Sequence, residues 1–335
     1  MEFVINVRRK KMKFSYLVLC ALFLCTMLTP LFGACGSTSS GKTSIVCTIF
    51  PEYDWVTNIL GDQKDNFEVS LICNNGADMH SFNPSFADTD RIMNADLFIY
   101  VGGESDAWVK KVLANSSKED MKVVNLLGVL GEQAKEEEVV EGMQTETESQ
   151  DGENEVEYDE HVWLSIKNAV TFVEEIAASI IKLDEENKTA YQTNATNYIQ
   201  KLKKLDNEYS VFTSTASKNT LIFGDRFPFR YLVDDYNLNY YAAFSGCSAE
   251  TEASFETLDF LAQKINDLNI KVILQLETTS QGNKKTIAEA VRENTRSKGQ
   301  TILTINSIQN TTTRDNLTYL DIMTNNLSII RQALN

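Results

Sequence analysis

The chain has 335 residues, with 31 Lys and Arg against 47 Asp and Glu, two His and six Cys. At roughly 100–200 residues per domain this length provides two domains, and 43% hydrophobic with 23% charged residues excludes a disordered or multi-span membrane chain. A net charge of −16 excludes a nucleic-acid partner, which needs a basic face, although twelve of the acids lie in residues 136–160 and the acidity is therefore local.

Arg8, Arg9, Lys10, Lys11 and Lys13 form a basic leader, and an apolar run over residues 14–34 follows it. That order predicts a secretory signal over residues 1–34. The string Leu31-Phe32-Gly33-Ala34-Cys35 resembles a bacterial lipobox, so Cys35 is the expected acylated residue and residues 35–43 a flexible tether. Two lipid chains there would anchor the protein stably to a membrane. The competing reading is an uncleaved anchor, since about 20 apolar residues can span a bilayer.

Strands are predicted at residues 44–50, 67–73, 96–101 and 122–126, alternating with helices at 54–60, 86–93 and 105–113. The pattern halts at residues 136–160, which read as a solvated acidic loop. A helix at 166–182 precedes a longer one at about 185–215. There Tyr191, Ala195, Tyr198, Leu202, Leu205, Tyr209 and Phe212 fall at steps of four and three. Strands at 220–223, 240–244, 272–276 and 301–305 then alternate with helices near 229–236, 255–268 and 284–294, and a helix at 319–334 ends the chain. The expected fold is therefore α/β, with two βα lobes carrying parallel sheets, residues 44–184 and 218–335, joined by a long rigid helix over 185–217.

His80 lies in a loop after a predicted strand, and His161 lies between the acidic loop and a helix. Imidazole is a common metal ligand, and ligands of open α/β sheets gather at the carboxyl ends of strands. By the residues alone, a metal site and two hydrogen-bonded structural histidines stand equal. Cys47, Cys73 and Cys247 are widely spaced, with no Cys-x-x-Cys pair, and Cys247 is a minor candidate ligand. No Gly-x-Ser-x-Gly elbow, His-Glu-x-x-His helix or phosphate-cradling glycine loop is present, so no enzyme is expected.

Several ordered segments together resemble the zinc/manganese ABC-transporter substrate-binding lipoproteins. They are Phe50-Pro51-Glu52-Tyr53-Asp54, the run from Gly76 to Pro84 around His80, Asp159-Glu160-His161-Val162-Trp163-Leu164, and the run from Tyr319 to Leu327. The resemblance covers residues 44–335. It implies a metal cleft between the lobes, lipid anchoring on the extracytoplasmic face of the cell membrane, a monomer, and delivery of the cargo to an ABC permease with its ATPase. It also implies His80 and His161 as first-lobe ligands. The family's second-lobe ligand positions fall on Gly224 and Asn306, so that part of the site does not transfer, and Asp225 and Glu277 are the expected replacements. Two imidazoles favour Zn2+ as cargo over the harder Mn2+. Manganese or iron uptake is the alternative within the class, and a zinc hydrolase using the same His pair the alternative outside it.

Overall fold

The computed structural model describes residues 41–144, 157–248, 252–277 and 285–335. The signal, Cys35 and the middle of the acidic stretch lie outside them. Among the described residues no helix is long and apolar enough to cross a membrane.

Four parallel strands, β1 (Thr43–Cys47), β2 (Phe67–Leu71), β3 (Leu97–Tyr100) and β4 (Lys122–Asn125), form one sheet in the order β2-β1-β3-β4. A second parallel sheet has the order β6-β5-β7-β8, from β5 (Thr220–Phe227), β6 (Asn239–Ser245), β7 (Val272–Leu276) and β8 (Thr301–Ile305). Ile45, Val46 and Cys47 are all fully buried, as a central strand covered on both faces requires. In each sheet the strand order reverses beside the first strand, between β1 and β3 and between β5 and β7. The loops leaving the carboxyl ends there open a crevice.

Helix α1 (Phe50–Leu60) begins earlier than the spacing suggests, and β1 ends at Cys47 rather than at residue 50. The cause is local. Pro51 occupies the first turn, and the Glu52 carboxylate accepts the amides of Thr48 (2.7 Å) and Ile49 (3.2 Å), which ends the strand. The helices α2 (Phe86–Met93), α3 (Val109–Ala114), α4 (Leu126–Leu130) and α5 (Ile166–Leu183) complete the first half.

Helix α6 (Lys188–Thr215) is 28 residues long, about 42 Å at 1.5 Å per residue. Its buried stripe is Tyr191, Ala195, Tyr198, Leu202, Leu205 and Tyr209. The tyrosines fasten it at two places: Tyr198 donates to Asp54 of α1 (2.9 Å), and Tyr209 donates to the carbonyl of Met323 (2.6 Å) in α10 (Tyr319–Leu334). Between them α7 (Arg230–Asp235), α8 (Phe255–Asp267) and α9 (Ile287–Asn294) flank the second sheet. Trp55 packs on both Phe172 of α5 and Tyr319 of α10, so one core cluster joins residues of both halves.

The described ends of the acidic stretch keep exposed carboxylates, as composition suggests, but are also tied to the fold. Glu138 pairs with Arg230, Glu141 pairs with Lys264 at 3.1 Å, and Glu136 bridges to Tyr158. Asp159 and Glu160 are buried. Glu138 and Glu141 find partners on the second half of the chain, and Asp159 and Glu160 on the histidine loops, which a charge count cannot reveal.

Candidate metal centre

His80 stands on the loop that follows β2. The turn at Asn75 and Gly76 is held by the Asn75 side chain accepting the Ala77 amide (2.9 Å), and Asp78 then caps a single 3-10 turn, Met79–Ser81, by accepting the His80 amide (3.1 Å). Buried Met79 pins that turn to the core. His161 precedes a fully buried turn, Val162–Leu164, ahead of α5. The two loops bring the imidazoles together, with Nε2 of His80 3.1 Å from Nε2 of His161.

Each far nitrogen has a hydrogen-bond partner. His161 Nδ1 lies 2.9 Å from Asp159 Oδ1, a carboxylate that can only accept while ionised, so the proton is on Nδ1 and Nε2 presents a lone pair to its neighbour. His80 Nδ1 lies 2.7 Å from Ser105 Oγ and 3.6 Å from Glu160 Oε2, which has no hydrogen-bond partner among the described residues. The Ser105 hydroxyl can accept from His80 Nδ1, leaving Nε2 free to ligate, or donate to it. Burial, and then the facing imidazole, push His80 down to about 3, so this ring is neutral and able to ligate at ordinary pH. A carboxylate behind a ligating imidazole fixes its tautomer and raises its basicity, which is the arrangement found here.

The second sheet contributes from two loops. Cys247, after β6, places its thiol within 4.8 Å of both imidazole donors, the only such group of three His, Cys, Asp or Glu among the described residues. Its approach depends on the preceding glycine, since a Cβ on Gly246 would come 2.9 Å from His161 Cε1. Burial, and then the carboxylates of Glu137, Asp159 and Glu160, push the Cys247 thiol up, so taking a metal there means expelling a proton. After β8, the Gln309 amide nitrogen lies 2.6 Å from His161 Nε2 and 3.0 Å from His80 Nε2. Nothing in the sequence pattern marks Gln309, a carboxamide in a polar loop.

The two expected second-lobe carboxylates are not brought into this group. Asp225 accepts the amides of Arg226 (2.8 Å) and Leu276 (3.0 Å), so it stitches the bulged end of β5 to the end of β7. Both oxygens of Glu277 accept the Ser307 amide (2.8 and 2.9 Å), and Oε1 also meets the Ser307 hydroxyl at 2.6 Å. Burial raises both carboxylates above their ordinary range. Gly224 is no ligand position either, because a side chain there would enter α9, its Cβ 2.5 Å from Ala288 Cα.

Two residues beyond Gly224, Arg226 is the side chain that points to the histidine loop. Its guanidinium holds Asp78 at 2.6 Å. Burial works against ionisation of Asp78, but the guanidinium outweighs it and keeps that carboxyl below its ordinary range. Trp163 Nε1 donates to the Ser307 carbonyl (2.9 Å), adding a second tie across the crevice.

A family model described as the periplasmic component A of a zinc-uptake complex matches residues 45–333. Among curated relatives, the zinc-binding protein AdcA of Streptococcus pyogenes is 30% identical over 257 residues, 75% of this chain and 49% of that protein. The chain thus spans about half the length of the AdcA relatives from that species. The high-affinity zinc uptake system protein ZnuA of Bacillus subtilis is 29% identical, covering 93% of this chain and 97% of that one. Among solved structures, the Zn(II)-bound ZnuA-like domain of Streptococcus pneumoniae AdcA superposes with a TM-score of 0.67 at 27% identity, over 88% of this chain and 99% of that one. The metal-dependent lipoprotein YcdH of Bacillus subtilis gives 0.68 at 27% identity, over 88% and 99%. With two parallel α/β sheets meeting at their carboxyl ends, and with the family model matched almost end to end, the chain belongs to the family of periplasmic zinc-uptake component A proteins.

Proposed function

We propose that this chain is an extracytoplasmic binding protein that captures Zn2+ between its two sheets and delivers it to an ABC permease driven by its ATPase, without covalent chemistry. The observation that carries the reading is the pair of imidazole nitrogens 3.1 Å apart, each ring held from behind by a hydrogen-bond partner, Ser105 for His80 and Asp159 for His161. His80 and His161 are the anchoring ligands, and Cys247 is the nearest further donor of ordinary metal-ligand type. Asp225 and Glu277 act one bond further out, because their oxygens already serve backbone amides. Two imidazoles and a thiol suit zinc, whereas manganese is better served by oxygen. The AdcA and ZnuA relatives are themselves named for zinc. Calorimetric titration of the metal-free protein with Zn2+ and Mn2+ tests this. Zinc is expected to bind one to one and far more tightly, and equal or reversed affinities would remove the assignment.

The same reading makes the protein a monomer tethered by lipid at Cys35, in keeping with the related pneumococcal AdcA, which is named a lipoprotein. Cys35→Ser is expected to leave the precursor uncleaved or to release the protein from the membrane fraction. Lipid-labelled, membrane-bound product from that variant would refute the anchor.

A further inference from the structure

We infer that Cys247 closes this centre as a thiolate, coordinating the cation held by His80 and His161 and making the centre selective for soft, thiophilic divalent ions. The inference rests on the histidine-pair reading and adds to it the residue that decides which ions the pair retains.

The distances carry it. Zinc takes imidazole nitrogen at about 2.0–2.1 Å and thiolate sulfur at about 2.3 Å, usually in a tetrahedron. Such an ion sets two nitrogens about 3.3 Å apart and each nitrogen about 3.6 Å from the sulfur. The two Nε2 atoms already stand 3.1 Å apart, and the thiol lies within 4.8 Å of a ring nitrogen on each histidine. The sulfur therefore has at most about 1.2 Å to close, a smaller step than one change of side-chain rotamer makes.

The loop that carries the thiol is fastened beside the histidines. The Cys247 amide donates to Glu137 Oε1 (3.1 Å), and Arg226 spans from Asp78 on the His80 loop (2.6 Å) to the Ser248 carbonyl (3.5 Å). Gly246 supplies the room, for a Cβ there would stand 2.9 Å from both His161 Cε1 and the Phe227 carbonyl oxygen. Burial, and then the carboxylates of Glu137, Asp159 and Glu160, keep the proton on the free thiol. A dication at the centre reverses that balance, because a coordinating thiol is deprotonated outright. The sulfur–metal bond forms as the proton leaves to water, and the Glu160 amide then supports the thiolate. Hard ions such as Mn2+ prefer oxygen and gain little from sulfur, so this one side chain separates the two kinds of cargo.

Titration of the full chain as wild type, Cys247→Ser and Cys247→Ala with Co2+ and Zn2+, and with Cd2+ and Mn2+ as soft and hard probes, tests the proposal. Cobalt-loaded wild type is expected to show the intense near-ultraviolet sulfur-to-cobalt charge-transfer band, and Cys247→Ser to lose it. Both variants are expected to bind zinc more weakly by at least ~10–100-fold, the cost of losing even an outer partner of a ligand. Cadmium should weaken further still, while Mn2+ binding changes little. A wild-type cobalt complex without the band overturns the thiolate role, as does a band that persists in Cys247→Ser or wild-type zinc affinity in either folded variant. If neither variant folds, the wild-type band decides, because the other described thiols, Cys47 and Cys73, are buried and belong to no such cluster. In the overturning outcomes the histidine reading stands as long as His161→Ala still abolishes binding. Failure of wild type to bind zinc overturns both.

Discussion

His161→Ala is expected to weaken zinc binding by well over 100-fold, and His80→Ala by a similar factor, measured by calorimetry against a competing chelator. Losing a supporting group costs ~10–100-fold, and loss of a ligand held as firmly as His161 exceeds that. The ring of His161 is wholly buried, and its Nδ1 is locked on Asp159. The alanine variant therefore also leaves the Asp159 carboxylate buried beside a cavity, at about 1–3 kcal/mol of stability. Thermal melting of each variant separates that effect from lost affinity. His80 is held more loosely, by the Ser105 hydroxyl and the more distant Glu160, so its variant should melt closer to wild type while binding as poorly. Asp225→Ala and Glu277→Ala should bind far better than either histidine variant, since their oxygens serve amides of β7 and of the loop after β8. Wild-type affinity in both histidine variants would reduce the family relationship to one of fold.

Elements whose signals are local were legible in the sequence. Phe86–Met93, Val272–Leu276, Thr301–Ile305 and Tyr319–Leu334 lie where periodicity and apolar runs put them. The capping boxes Ser85 with Asp88 and Thr318 with Asp321 are written in the chain itself. Elements decided by one side chain bonding to the backbone were not legible. The end of β1 depends on Glu52 folding back on Thr48 and Ile49, and Leu126–Leu130 is a helix because Asn125 caps it at Gly128. A period count sees only an apolar run in both cases.

The site divides the same way. His80 and His161 stood out by rarity and by their loops, and the structure brings them into contact. What the second sheet offers could not be read, because it depends on which side of a strand faces the crevice. The bulge in β5 between Phe223 and Arg226 shifts that alternation, turning Arg226 to Asp78 while Gly224 backs onto Ala288. Gln309 carries no residue-type signal at all. It reaches the imidazoles through a left-handed Ile308, a conformation that residue identity argues against. The acidic stretch misled for the opposite reason: twelve charges suggest solvent, yet its described ends find partners in Arg230 and Lys264.

Glu52→Gln is expected to stabilise the metal-free protein above neutral pH and to flatten the pH dependence of its stability. Glu52 is fully buried under the first sheet's crevice, and burial, then the charge of Asp106, push its carboxyl up to about 8 against the amides of Thr48 and Ile49. Asp106 is itself pushed up to about 7, chiefly by burial, so the two titrate as a pair. A raised acid binds its proton in the folded state where the unfolded chain has already lost it. Stability is therefore intact below the unfolded value near 4.5 and is lost progressively as pH rises towards 8. At 1.36 kcal/mol per pKa unit the loss is on the order of a few kcal/mol. His80, pushed down to about 3, acts in the other direction, its contribution falling away as pH drops below about 6.5. The difference between wild type and variant isolates Glu52 from it. Glutamine keeps the geometry, because one oxygen accepts both amides (2.7 and 3.2 Å) while the other meets only the Thr48 hydroxyl at 3.3 Å, a place an NH2 can take. Urea unfolding in a chelating buffer from pH 5.5 to 9 is the measurement. The two curves should lie closest at pH 5.5, part steadily up to about pH 8 and run parallel from there to pH 9. Parallel curves across the whole series would mean that Glu52 carries its proton equally in both states, and that the crevice floor is not the low-dielectric pocket its burial implies.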